Sequence, residues 1–290
     1  NRTIGIVPNV LAKSEITNWW WFNESIGKLA TDSVGDNDGT LLGGTKWAAD
    51  ATEGTAVQFE KPGQIIDLGQ VSPSFNAGHF QLSFWFKRQE EGFSWSSEQV
   101  SNVMLSLGDE NGSTLQVGTR GNAVDVFMAT AVRSQRISLG SGINTGDWHH
   151  LLLSYDENAS DSYELKVYLD GQLSGFSSEL GGLLQVKPSD QWLLGAASRI
   201  DQVNGRFLGR VDDMRFYSSD SAELLARETF NDGNGDLSLS IDAQFPANTH
   251  DNSISANFTF KKYGVEYDIS DFNESRISLS NGVLDSFNGS

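Results

Sequence analysis

The 290 residues carry 38 acidic against 20 basic side chains, a net charge of −18, so the surface repels phosphates and nucleic-acid binding loses its main driving term. With 38% hydrophobic residues, 17 Phe and 8 Trp, the chain is too rich in core formers to be disordered, and it is long enough for one large domain or one of about 200 residues plus a smaller piece. It has no cysteine, which excludes disulfides, thiolate metal sites and cysteine nucleophiles, and no apolar run approaches the ~20 residues of a membrane helix, so no membrane insertion is expected.

Asn1-Arg2-Thr3 offers neither an initiator Met nor a signal peptide's apolar core, and reads as the start of a processed or excised piece. Phe80, Leu82, Phe84 and Phe86 alternate with Gln81, Ser83, Trp85 and Lys87, the period of a strand with one buried face. Val103–Leu107, Leu115–Thr119 and Val124–Ala129 are short, apolar and bounded by turn residues, with Asp109-Glu110-Asn111-Gly112 as a hairpin turn. His149, Leu151, Leu153 and Tyr155 alternate again, which sends His149 and His150 to opposite faces and denies them a shared metal. Leu165–Leu169 ends on Asp170-Gly171, a pair that tolerates positive φ and predicts a tight hairpin. Trp192–Leu194 and Phe207–Phe216 complete the large set. One helix is predicted, Ala222–Arg227, capped by Ser219 or Asp220. Many short antiparallel strands predict an all-β, two-sheet sandwich of jelly-roll type.

Asn231–Asp236 holds only Gly and polar residues and reads as a linker. Beyond it, Leu237–Phe245, Ile254–Phe260, Tyr267–Phe272 and Ile277–Leu279 are β-patterned but lack Trp, so a second domain is expected. The division is 1–18 as linker or first strand, 19–230 as the large domain, 231–236 as linker and 237–290 as the second domain.

An ordered set of segments then carries a family resemblance. Trp20-Trp21-Phe22-Asn23-Glu24, Thr31–Leu41, Val57-Gln58-Phe59, Ile66-Asp67-Leu68, Leu82–Phe86, Asp147–His150, Val167–Gly171 and Val211–Tyr217 resemble successive strands of laminin-G-like modules, with the concanavalin A-like jelly-roll sandwich. The tail, through Phe258-Thr259-Phe260, Tyr267-Asp268-Ile269, Ile277–Gly282 and Phe287-Asn288-Gly289, is similar to bacterial Ig-like domains. It is too short for the seven strands and ~100 residues of such a sandwich, so a partial Ig-like sandwich is expected.

The fold is shared by glycoside hydrolases and binding modules, so chemistry must decide. The large domain lacks the alternating carboxylates of a hydrolase strand; the nearest string, Glu266-Tyr267-Asp268-Ile269-Ser270-Asp271, lies in the tail and lacks the final Glu. No Gly-x-Ser-x-Gly elbow, Walker loop or zinc-protease helix is present. Asp32, Asp36, Asn37 and Asp38 crowd one loop and offer the oxygen ligands calcium wants, although Asp and Asn are also ordinary turn formers. The resemblance implies a structural calcium at this loop, completed from the Val211-Asp212-Asp213 strand by Asp212 or Asp213, which strict alternation sends to opposite faces; Asp212 is the choice here.

Sugar binding needs exposed aromatic faces flanked by polar groups. Trp95 and Phe93, in a Gly-, Ser- and Glu-rich loop, fit, with packing against a neighbouring loop the competing reading. Trp47, and Trp85 on the face opposite Phe84 and Phe86, come second, whereas Trp20, Trp21 and Trp148 read as core. The expected function is a non-catalytic, extracellular or cell-surface recognition module that binds a glycan or cell-surface protein, as an adhesin does, joined to neighbouring domains. An accessory module of a polysaccharide-degrading enzyme or a structural spacer are the alternatives. Sequons at Asn1, Asn23, Asn111, Asn158, Asn257, Asn273 and Asn288 matter only in a glycosylating source.

Overall fold

The computed structural model describes residues 16–217 except 53, 73–74, 90–99, 101, 110, 160–161 and 198–206, together with the backbone of five strands beyond. Two compact units divide the chain, Leu11–Gly233 and a smaller one that includes Asn234–Ser290. Among the described residues every regular element of the larger unit is a strand: β1 (Ile16–Trp20), β2 (Leu29–Ala30), β3 (Gly39–Leu42), β4 (Lys46–Ala48), β5 (Ala56–Phe59), β6 (Ile65–Gln70), β7 (His79–Arg88), β8 (Val103–Asp109), β9 (Gly112–Arg120), β10 (Ala123–Ala129), β11 (Ser134–Leu139), β12 (Trp148–Asp156), β13 (Leu165–Leu169), β14 (Gln172–Ser177), β15 (Gln191–Leu194) and β16 (Gly209–Tyr217). They form two eight-stranded antiparallel sheets. One runs β14-β13-β12-β7-β16-β5-β4 with β1 added beside β16, and the other runs β11-β10-β9-β8-β15-β6-β3-β2.

The alternation that predicts these strands also builds the core between the sheets. Phe80, Leu82, Phe84 and Phe86 of β7 and Leu151, Leu153 and Tyr155 of β12 point inward with Met104, Leu105, Val117, Val126 and Trp192 from the facing sheet. Truncating one such aromatic, Phe84, costs about 3–5 kcal/mol. The Asp170-Gly171 hairpin forms with φ of 51° and 78°, the mirror-image turn that matches strand twist. β11 gives no sequence signal because it is an edge strand paired only with β10, and its side chains are mostly half-exposed.

At one point the alternation breaks, and this positions the candidate site. Between Asp212, opposite Trp85, and Arg215, opposite Ser83, β16 carries one residue more than β7. The bulge puts Asp213 at φ 44°, so Asp212 and Asp213 both reach groups on the outward face instead of opposite faces. The expectation from strict alternation is corrected here.

In the smaller unit, β17 (Ser238–Ala243), β18 (Ala256–Lys262) and β19 (Val265–Asp268) pair as an antiparallel meander, and β20 (Arg276–Ser280) pairs with β21 (Val283–Asn288). The tail is β-structured as its pattern predicts, and nothing in this pairing assigns it an Ig-like topology. The helix predicted over Ala222–Arg227 lies outside the described residues. Among those described, no helix is long and apolar enough to cross a membrane.

Candidate functional site

The loop read as a calcium site is organised by hydrogen bonds around one carboxylate. Buried Asp32 accepts five N–H groups: Oδ1 from the backbone of Trp19 (2.8 Å), Val34 (3.2 Å) and Gly35 (2.9 Å), and Oδ2 from Asn18 Nδ2 (2.6 Å) and the backbone of Asn37 (3.2 Å). Burial pushes its carboxyl up, but the bonds from Trp19, Asn18, Gly35 and Val34 outweigh that and hold it below the usual range. Asp38 Oδ1 accepts the backbone N–H of Asp32 at 2.8 Å, closing the turn.

Asp212 is committed elsewhere. Its Oδ2 takes Thr52 N (2.9 Å) and Oγ1 (2.6 Å), and its Oδ1 takes Asp213 N (3.0 Å). Among the described residues no three His, Cys, Asp or Glu side chains gather as a metal site. Of the carboxylates expected to hold calcium, Asp32 and Asp212 thus have both oxygens engaged by N–H or O–H donors, and Asp38 has one. Direct contacts clip the module's two ends together: β1 pairs with β16, and Trp19 Nε1 donates to Asp213 Oδ1 at 2.7 Å.

The outward face of the sheet holding β12, β7, β16 and β1 is unusually aromatic. Trp20 and Phe22 point into the core, so Trp19 and Trp21 emerge on the other side, stacked at 4.2 Å with planes 19° apart. The Arg215 guanidinium lies 4.3 Å from the Trp19 ring centroid. Because Trp21 occupies one face of that ring, Arg215 must take the other, giving a stack of Arg215, Trp19 and Trp21. Asp213 holds Arg215 from below through Nε (2.9 Å) and Nη2 (2.8 Å). Trp21 ends the stack and is 37% exposed.

A second polar and aromatic group lies on the same face. Trp148, Lys87 and Arg210 are neighbours across β12, β7 and β16, and Asp50, from the loop after β4, joins them. It accepts Lys87 Nζ (3.0 Å) and Trp148 Nε1 (3.3 Å) and pairs with Arg210. Burial pushes the Asp50 carboxyl up, but the Lys87 and Trp148 hydrogen bonds and the Arg210 and Lys87 charges outweigh it, so it stays below its ordinary value and ionised. Thr52 on Asp212 and Thr55 N on Asn23 Oδ1 (2.9 Å) fasten the same loop across the face towards Trp21.

Trp47, Trp21 and Trp148 take places other than those their sequence neighbourhoods predict, and Trp85 takes its expected face without the expected exposure. Trp85 does lie on the outward face, but it is only 4% exposed and packs edge-on against His150 at 5.2 Å, so it offers no open ring. Trp47 is half-buried against the core, its Nε1 donating to Gly27 O at 3.1 Å. Trp21 and Trp148, read as core, face outward; the alternation of Trp19, Trp20, Trp21 and Phe22 held that signal, which their apolar character obscured. Phe93, Trp95 and the side chains of Glu266–Asp271 lie outside the described residues. His149 and His150 do take opposite faces: His149 packs on Phe86 and joins Asp170 at 2.9 Å, a turn-bracing role.

Comparison with known proteins places this geometry in a family. No curated protein matches the chain. Among solved structures, domain 4 of an extracellular arabinanase from Geobacillus stearothermophilus, in complex with arabinotriose, is 17% identical over 74% of this chain and 97% of its own, with a TM-score of 0.49. A Trypanosoma rangeli sialidase in complex with the inhibitor DANA is 14% identical, covering 81% of this chain and 36% of its own (TM-score 0.54). The botulinum neurotoxin serotype G binding domain is 11% identical, covering 88% and 64% (TM-score 0.54). The chain thus spans about a third of the sialidase and under two thirds of the neurotoxin domain. The sequence model of laminin-G-type modules, described as the concanavalin A-like lectin/glucanases superfamily, matches residues 63–222. With that match covering more than half of its length, and two antiparallel sheets to carry it, the chain belongs to the concanavalin A-like lectin/glucanases superfamily.

Proposed function

We propose that this chain is a non-catalytic glycan-recognition module of an extracellular or cell-surface protein, and that the outward face around Trp21 and Trp148 is its binding surface. The observation that carries the reading is the Arg215–Trp19–Trp21 stack, which holds the partly exposed Trp21 indole against Trp19, itself hydrogen-bonded to ion-paired Asp213. A pyranose presents an apolar CH face to such a ring and hydroxyls to its polar neighbours, and a fixed aromatic loses little entropy on contact. The same fold in a neurotoxin binding domain supports a binding role at the level of architecture. Trp95 and Phe93 are kept as a second candidate contact.

The test is binding of the chain to a panel of soluble polysaccharides by affinity electrophoresis, with Trp21→Ala and Trp95→Ala beside the native protein. Loss of Trp21 is expected to weaken binding about tenfold or more while the melting temperature stays within a few degrees. Retained affinity in Trp21→Ala with loss in Trp95→Ala moves the site to the Trp95 loop. No retardation by any polysaccharide overturns glycan recognition, and release of new reducing ends overturns the non-catalytic reading.

A further inference from the structure

We infer that the glycan recognised on this face is uncharged. This rests on the glycan reading above and specifies its ligand class. Three cations stand nearest the outward indoles, and each is already committed: Lys87 and Arg210 to Asp50, and Arg215 to Asp213 by a two-point contact. Asp212 adds a third carboxylate to this face, held by Thr52. The cations and carboxylates of the patch therefore balance, in a chain whose net charge is −18. A uronate, sialate or sulfate placed against Trp148 would meet Asp50, and on this face it would find no uncommitted cation among these three.

The same arrangement suits hydroxyl groups. Asp50 is locked in orientation by Lys87, Arg210 and the Trp148 indole N–H, and its side chain is 46% exposed, so it presents a fixed carboxylate to the solvent side of the patch. A sugar hydroxyl can donate to such a carboxylate beside the Trp148 ring without separating it from Lys87 or Arg210. A neutral polyol thus satisfies the patch without disturbing its ion pairs, whereas an anion must displace a carboxylate from its partner.

The experiment uses the whole chain and matched polysaccharide pairs: arabinan, galactan, xyloglucan and soluble starch, each with its carboxymethylated or sulfated derivative, at low and high salt. The expected result is binding to at least one neutral member, about tenfold weaker binding to its anionic derivative, and neutral binding that changes less than about twofold with salt. Asp50→Asn, at an exposed position, removes one negative charge from the patch and is expected to narrow the neutral-to-anionic ratio by about threefold or more. Equal or tighter binding of an anionic derivative, or an unchanged ratio in Asp50→Asn, overturns the charge inference and leaves glycan recognition standing. Failure of every neutral and anionic polysaccharide to bind overturns the glycan reading itself.

Discussion

Replacing Asp32 by Asn isolates the contribution of the carboxylate that organises the N-terminal loop. The variant keeps size and shape but turns one oxygen into an NH2 donor. In the native orientation the new donor faces Asn18 Nδ2 and Asn37 N; flipped, it faces the N–H groups of Trp19, Val34 and Gly35. At least two hydrogen bonds to a charged acceptor disappear, and bonds of that kind contribute about 1.5–3 kcal/mol each. The expected loss is about 3–6 kcal/mol, or roughly 6–24 °C in melting temperature for a domain of this size. Differential scanning calorimetry with tryptophan fluorescence measures it. The pH dependence supplies a second readout. The folded carboxyl lies below its ordinary value, so its contribution is complete above the usual aspartate range and is lost as pH falls through the folded value. The gap between native and variant must therefore narrow in acid. A fall of less than about 2 °C at neutral pH, against the 2–4 °C expected per kcal/mol, would refute the assignment of Asp32 as the loop's anchor.

Two further outcomes follow from the same geometry. Millimolar calcium, or its removal by EGTA, should move the melting temperature by less than about 1 °C, since a site filled to a hundred times its Kd would add about 2.7 kcal/mol; a rise of several degrees would restore the metal to this loop. Gly43→Ala should abolish folding or lower the melting temperature by more than about 10 °C, because its Cβ would stand 1.6 Å from Gly63 O at φ +66°. Gly44→Ala is the control: at φ +81° with nothing within 4 Å of the added Cβ, it should cost only the left-handed strain of about 1–2 kcal/mol. Equal effects of the two substitutions would contradict the close approach.

By itself the amino-acid sequence determined the sandwich, because burial of one sheet face imposes a two-residue period that β7 and β12 display in full, and because Asp170-Gly171 suits one kind of turn. It also determined the separation of His149 from His150, which is the same period read locally. What only the tertiary structure decided are the features that depend on residues far apart in the chain. One extra residue in β16 relative to β7 brought Asp212 and Asp213 to one side, and nothing in the string of residues marks where pairing slips. Asp32 reads equally as a metal ligand or a turn former until the donors around it are known. The Arg215–Trp19–Trp21 stack joins residues almost two hundred positions apart, which only the pairing of β1 with β16 brings together.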